Sequence, residues 1–114
     1  MGIGQLKSSQ SFLERRFSVD VFSLLAAKVN KETLAEGVVA VICEWFDTYD
    51  LVEPWNDYPL DEEYAEPLLM RTMGYLLVVS DKAITIAGTL DVASNVVSQV
   101  TVIPRGCIKS ITEL

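Results

Sequence analysis

The sequence predicts an α+β fold in which an N-terminal amphipathic helix packs on a small five-stranded antiparallel β-barrel. Three observations lead to this prediction. Apolar residues recur at helical spacing near the N-terminus, and the C-terminal part of the chain alternates short apolar runs with turn residues. The chain has 114 residues, of which half are apolar, and this length suits a single domain with one core.

The helical region is predicted over residues 11–36, after a flexible end at residues 1–10 that is polar and has no periodicity. Ser11 and Glu14 have the spacing of a capping box, in which two side chains bond the free N–H groups of a first helical turn. The apolar residues that follow recur near helical spacing and form one stripe. They are Phe12, Leu13, Phe17, Val21, Leu24 and Leu25.

An interruption of this helical region is an open alternative. Arg15 and Arg16 lie in its first turns, where the helix dipole disfavours cations, so the helix would break near Ser18 and start again. A further short turn is predicted from Lys31 to Glu36. If the helix were detached from the sheet, its apolar stripe would form the seam of a homodimer.

Five strands are predicted after the helix. The first covers residues 38–46, where β-branched and aromatic side chains are concentrated. The other four form a β-meander over residues 74–114. Its parts are a hairpin with strands at 75–79 and 83–87, a loop at 88–95, a strand at 96–103, the turn Pro104-Arg105-Gly106 and a final strand at 108–113.

Residues 47–72 are predicted to form a long acidic-aromatic loop, because they contain three prolines and no strand or long-helix periodicity. Positions 44–66 hold nine of the sixteen acidic residues and six of the ten aromatic residues, without any lysine or arginine. Loops of this length in a compact domain are more often functional or partly disordered than mere connections.

Two interpretations of this loop stay open. The aromatic side chains could hold the loop against the core while the acids remain solvated. Alternatively, the loop is a docking surface for a basic partner, where acids steer association and tryptophan and tyrosine anchor the complex. The residues predicted to bind such a partner are Asp50, Glu53, Trp55, Asp57, Tyr58, Asp61, Glu62, Glu63 and Tyr64.

Catalysis and metal binding are not predicted. The sequence contains no histidine, which removes the usual general base, the Ser-His and Cys-His nucleophile pairs and most zinc sites. The run Asp61-Glu62-Glu63 lacks the alternating order of a calcium loop. We therefore predict no catalytic residue, no cofactor and no metal site, and we expect Cys43 and Cys107 to be buried and reduced.

Charge and hydropathy make two classes of partner, nucleic acids and membranes, unfavourable. The net charge of −7 repels nucleic-acid backbones, so nucleic acid is a disfavoured partner. No apolar run approaches the roughly 18 residues of a membrane span. We expect no membrane association, and we expect a cytoplasmic location because the N-terminus lacks the charge and hydropathy order of a signal peptide.

The segment Val-Thr-Val-Ile-Pro-Arg-Gly-Cys-Ile-Lys-Ser-Ile at residues 100–111 resembles the closing segment of Src-homology-type and Sm-like small barrels. Together with Glu-Trp-Phe-Asp at 44–47 and Gly-Tyr-Leu at 74–76, it is similar to short uncharacterised bacterial and phage proteins, over residues 38–114. The resemblance implies a Src-homology-like barrel and no activity. Arg105 and Cys107 stand in the turn where polyproline binders carry a tyrosine.

The sequence thus predicts a non-enzymatic interaction or accessory protein of bacterial or phage origin. It would bind a basic partner surface through the acidic-aromatic loop, as an inhibitor or immunity-type protein does. The alternative is a small-barrel module that binds nucleic acid or a small ligand. For RNA, however, the predicted loop at 88–95 offers no aromatic side chain on which a base could stack.

Overall fold

The structure is a computed structural model, which describes residues 20–29 and 32–114. Within these residues the chain forms one helix and five strands, with short 3₁₀ turns at Glu62–Ala65 and Arg105–Cys107. The elements are α1 (Val21–Lys28), β1 (Val39–Asp47), β2 (Leu68–Val79), β3 (Ala83–Asp91), β4 (Val96–Pro104) and β5 (Ile108–Glu113). The predicted α+β class with five antiparallel strands is therefore confirmed.

The predicted barrel is not confirmed, because the sheet is open. All neighbouring strands are antiparallel in the order β4-β3-β2-β1-β5. The two edge strands β4 and β5 do not pair, since the short β5 makes its whole ladder with β1. The sheet is nevertheless curled. Strand β4 ends at Pro104 and β5 begins at Ile108, so the chain that joins the two edge strands can span at most about 14 Å. The edges of a flat five-stranded sheet would be about 19 Å apart.

The core lies on one face of the curled sheet, where α1 covers it. Alternate residues Val39, Val41 and Cys43 of β1 point into this core and are buried. The other members come from every remaining strand and from the helix. They are Phe22, Leu25, Leu76, Ile84, Ile86, Ile103 and Ile111.

Helix α1 begins after Asp20, whose Oδ1 atom accepts a hydrogen bond from the Phe22 N–H at 3.0 Å. The break predicted near Ser18 lies outside the described residues. The predicted amphipathic stripe is wrong for α1, because Leu24 is 52% exposed whereas Phe22, outside the stripe, is 7% exposed. The sheet lies against the side of α1 that carries Phe22 and Leu25, and this choice of side depends on tertiary contacts.

Several predicted segments lie outside the described residues or differ from the structure. The flexible end at 1–10 and the start of the helical region at 11–19 lie outside the described part of the chain. Residues 32–36 form no helical turn, with bends at 32 and 34–36, and Leu34 donates its N–H to the Asn95 side chain at 2.9 Å. This bond links the segment to the turn between β3 and β4.

Arg105 joins three parts of the fold, and we call this contact the Arg105 junction. Its Nη1 donates to the Ser80 carbonyl oxygen at 3.0 Å, and its Nη2 donates to the Asp20 carboxylate at 3.2 Å. The guanidinium carbon lies 4.0 Å from the centre of the Phe22 ring. The turn after β4 thus holds both the β2–β3 turn and the start of α1.

Strands β2 and β3 are longer than predicted. β2 begins at Leu68, so the predicted loop at 47–72 ends five residues early, and β3 continues to Asp91 inside the predicted loop at 88–95. Within β2, a Cβ atom on Gly74 would lie 2.5 Å from the Ala87 carbonyl oxygen. Only glycine allows β2 and β3 to approach each other so closely.

None of the helices in the described part of the chain has the length and apolar character needed to cross a membrane.

Candidate functional site

The predicted acidic-aromatic loop is the connection of the β1–β2 hairpin. The two strands pair as far as Asp47 and Leu68, so the chain leaves the sheet and returns to it at adjacent points. We call residues 48–67 the hairpin segment. Apart from the 3₁₀ turn at Glu62–Ala65, it contains no helix or strand.

The nine residues predicted to bind a partner all lie in the hairpin segment, and all are exposed. Trp55 and Tyr58 are 91% and 90% exposed, and neither side chain has a hydrogen-bond partner among the described residues. The interpretation that the aromatics hold the loop against the core is therefore wrong for these two residues. An almost fully exposed tryptophan leaves a large apolar surface in water.

Two other aromatics of the 44–66 cluster belong to the sheet. Trp45 packs against the core, and its Nε1 donates to Thr72 Oγ1 at 2.9 Å. Phe46 lies in β1 as well. Glu44 accepts a hydrogen bond at 2.7 Å from Arg71 on the neighbouring strand, and this hydrogen bond lowers the pKa of the Glu44 carboxyl group. These residues stabilise the sheet, so the candidate site is smaller than the composition of the sequence indicated.

A groove of about 440 Å³ runs along the base of the hairpin segment. Its walls come from both ends of the segment, which strand pairing brings together. The lining residues are Asp47, Thr48, Tyr49, Leu51, Leu60, Tyr64, Ala65, Glu66 and Pro67. Of these residues, Tyr64 alone was among the nine predicted to bind a partner. The others were not predicted, because the sequence alone does not show that the two ends of the segment meet.

Local hydrogen bonds set the shape of this groove. The Tyr49 hydroxyl donates to the Glu66 carbonyl oxygen at 3.3 Å, which links the two ends of the segment. The 3₁₀ turn places Tyr64 through a bond from its N–H to the Asp61 carbonyl oxygen at 3.1 Å. Two tyrosines therefore line a groove whose carboxylates are Asp47 and Glu66.

The hairpin segment carries negative charge without a local counterion. Its seven acids are Asp50, Glu53, Asp57, Asp61, Glu62, Glu63 and Glu66, and it contains no lysine or arginine. The salt bridges among the described residues are Lys28–Glu113, Arg71–Glu44 and Arg105–Asp20. None of them involves the hairpin segment, so the negative electrostatic potential of its acids can attract a cationic partner.

A second groove, of about 590 Å³, lies open between residues 34–38 and strand β3. Its lining includes Leu34, Val38, Tyr75 and Leu90, and its charged lining residue is Glu36. Polar and apolar surfaces contribute about equally to this groove, and because it is open to solvent it would enclose little of a small molecule.

The cysteines and acids are the remaining groups that could react or bind a metal ion. Cys43 and Cys107 are free thiols in the structure; Cys43 is buried and Cys107 is half-buried. Burial raises the pKa of the Cys43 thiol to about 12, so this thiol is a poor nucleophile at neutral pH. Within residues 20–29 and 32–114, no three cysteine, aspartate or glutamate residues lie close enough together to hold a metal ion.

No protein-family model matches this chain, and neither a curated protein nor a solved structure matches it significantly. The geometry and charge of the surface are therefore the basis for a functional inference.

Proposed function

We propose that this protein is a non-enzymatic binding protein that recognises a basic protein surface through its hairpin segment. Trp55 and Tyr58 are the anchors of the complex, and the surrounding carboxylates guide the partner to them. An accessory protein of a bacterium or phage that inhibits or protects another protein would work in this way.

The observation that carries the proposal is the exposure of Trp55 and Tyr58, at 91% and 90%, within a segment that has seven acids and no base. Tryptophan and tyrosine are enriched among the residues that dominate interface energy. Their rings gain most when a partner removes them from water, and these two rings have almost all of that surface still to bury.

The acids supply the second part of recognition. Complementary charge raises the rate at which partners meet and disfavours partners of like charge. Because no salt bridge of the described chain neutralises these acids, association should weaken as salt concentration rises. A nucleic-acid partner is disfavoured for the same electrostatic reason, since its phosphates would face the carboxylates.

Affinity capture from a bacterial lysate, followed by calorimetry with the purified captured protein, tests this proposal. We expect the captured protein to be basic, and its affinity to fall at least tenfold in the double variant Trp55→Ala/Tyr58→Ala. Replacing Asp61, Glu62 and Glu63 with their amides should lower affinity further at low salt and have less effect at high salt.

The matched controls are exposed residues away from the hairpin segment. The combined substitution Glu36→Gln/Asp81→Asn/Asp91→Asn removes three negative charges, as the segment variant does, and Val102→Ala removes an exposed apolar side chain from β4. The proposal is overturned if these controls weaken binding as much as the segment variants do, or if the segment variants bind with unchanged affinity.

A further inference from the structure

We propose that the groove at the base of the hairpin segment binds an arginine side chain of the partner protein. This inference rests on the proposed function, because it assigns the partner's contact chemistry at the same segment. The groove is separate from the two fully exposed anchors, Trp55 and Tyr58, so the two contacts can be tested independently.

The walls of the groove fit the stem of a long side chain. Tyr49, Leu60 and Tyr64 line it and are 44%, 48% and 39% exposed, so each keeps an apolar surface that faces solvent. The volume of about 440 Å³ lies toward the small end of ligand pockets. Methylene groups of a partner side chain would cover these surfaces and exclude water from them.

The charges of the groove select a cation. Asp47 and Glu66 both line it, and the Glu66 carboxylate has no partner among the described residues. The Tyr49 hydroxyl is already engaged with the Glu66 carbonyl oxygen. The groove therefore has acceptors for a cation and no described cation of its own.

The pair of tyrosines favours arginine over lysine. A guanidinium group is planar and weakly hydrated, so it can lie against an aromatic face while its N–H groups reach carboxylates. A lysine ammonium group is a compact and strongly hydrated charge that gains less from two ring faces. The same protein already contains such a contact, in which Arg105 lies 4.0 Å from the Phe22 ring centre.

Titration with two peptides tests this inference by NMR. The probes are Gly-Arg-Gly-Arg-Gly and the corresponding lysine peptide, which have the same charge, with ¹⁵N-labelled full-length protein at low salt. We expect the arginine peptide to bind at least fivefold more tightly, with the largest shifts at Tyr49, Leu60 and Tyr64. Equal affinities, or shifts that centre on another surface, would overturn the inference.

Variants of Tyr64 show whether the rings cause the preference. Tyr64→Phe keeps an aromatic face and should keep the ratio of affinities, whereas Tyr64→Leu keeps only apolar bulk at this position and should lower the ratio, because the Tyr49 ring alone remains. Glu53→Gln, outside the groove, should weaken both peptides equally. Retention of the full arginine preference in Tyr64→Leu would contradict the assigned role of the tyrosine rings.

Failure of this inference is distinguishable from failure of the proposed function. If Trp55→Ala/Tyr58→Ala abolishes partner capture while the two peptides bind equally, the segment binds a partner but the groove does not select arginine. If the peptide preference is present while the double variant captures the partner normally, the groove is confirmed and the proposed anchors are wrong.

Discussion

Aromatic side chains have opposite surroundings at the Arg105 junction and in the hairpin segment. At the junction, Phe22 is buried and lies beneath a guanidinium group that is also bonded to Ser80 and Asp20. In the hairpin segment, Trp55 and Tyr58 are almost fully exposed, and neither has a hydrogen-bond partner among the described residues. One region has its aromatic and charged groups paired within the fold, whereas the other presents them to solvent.

This difference separates stability from binding. A ring that already packs against a cation and the core contributes to the free energy of folding. A ring without neighbours loses nothing when the isolated protein unfolds, and it gains contacts only when another molecule covers it. Substitutions at the junction should therefore change the free energy of unfolding, and substitutions in the hairpin segment should change binding.

The largest effect on stability is expected at the junction. Arg105→Ala removes two hydrogen bonds from a half-buried cation and the contact with Phe22, and it should lower the free energy of unfolding by about 1–2 kcal/mol. Urea denaturation followed by tryptophan fluorescence measures this change. Lys82→Ala, an exposed cation next to the same turn, is the control and should have little effect. Equal effects of the two substitutions would show that the junction does not stabilise the fold.

A smaller effect on stability, which depends on pH, is expected at Glu44 in β1, outside the two regions compared above. The Arg71 hydrogen bond lowers the pKa of Glu44 in the folded protein, so the ionised form stabilises the fold above the pKa of the unfolded chain. This stabilisation is lost as the pH falls through the folded pKa. Glu44→Gln should therefore be less stable than the unmodified protein near pH 7, with the difference shrinking toward pH 3.

Urea denaturation at a series of pH values measures this difference. In the Arg71→Met background the pH dependence of the Glu44→Gln effect should become smaller, because the strongest cause of the lowered Glu44 pKa is absent while Lys109 and Ser110 still lower it. A difference that stays constant with pH in the Arg71-containing protein would mean that the carboxylate makes no stabilising pair.

The smallest effect on stability is expected in the hairpin segment. Trp55→Ala and Tyr58→Ala remove exposed rings, so the free energy of unfolding should change by less than about 0.5 kcal/mol, although the proposed function predicts a lower affinity for the partner. Chemical denaturation followed by circular dichroism checks this without depending on the tryptophan that is replaced. A loss comparable to that of Arg105→Ala would mean that these rings pack against the fold in solution, and the comparison of the two regions would fail.

The sequence predicted well those elements whose information is local. The β-branched run that became β1 and the Pro104-Arg105-Gly106 turn before β5 were located to within a residue. The composition of the hairpin segment also singled out nine residues that the structure leaves exposed. Exposure of Trp55 and Tyr58 was only one of two open interpretations, because composition does not say which side of a loop meets the core.

Tertiary structure decided the features that depend on distant partners. Leu68, Leu69 and Met70 have no strand periodicity of their own, and they form the start of β2 because β1 supplies the hydrogen bonds of their ladder. That pairing places Asp47 opposite Leu68, which brings the two ends of the hairpin segment together and so creates the groove. The open sheet is likewise a property of the whole chain, since no local sequence pattern specifies that β5 pairs with β1 while β4 remains an edge. Local sequence determined which residues form strands and carry charge, and long-range pairing determined which of them meet.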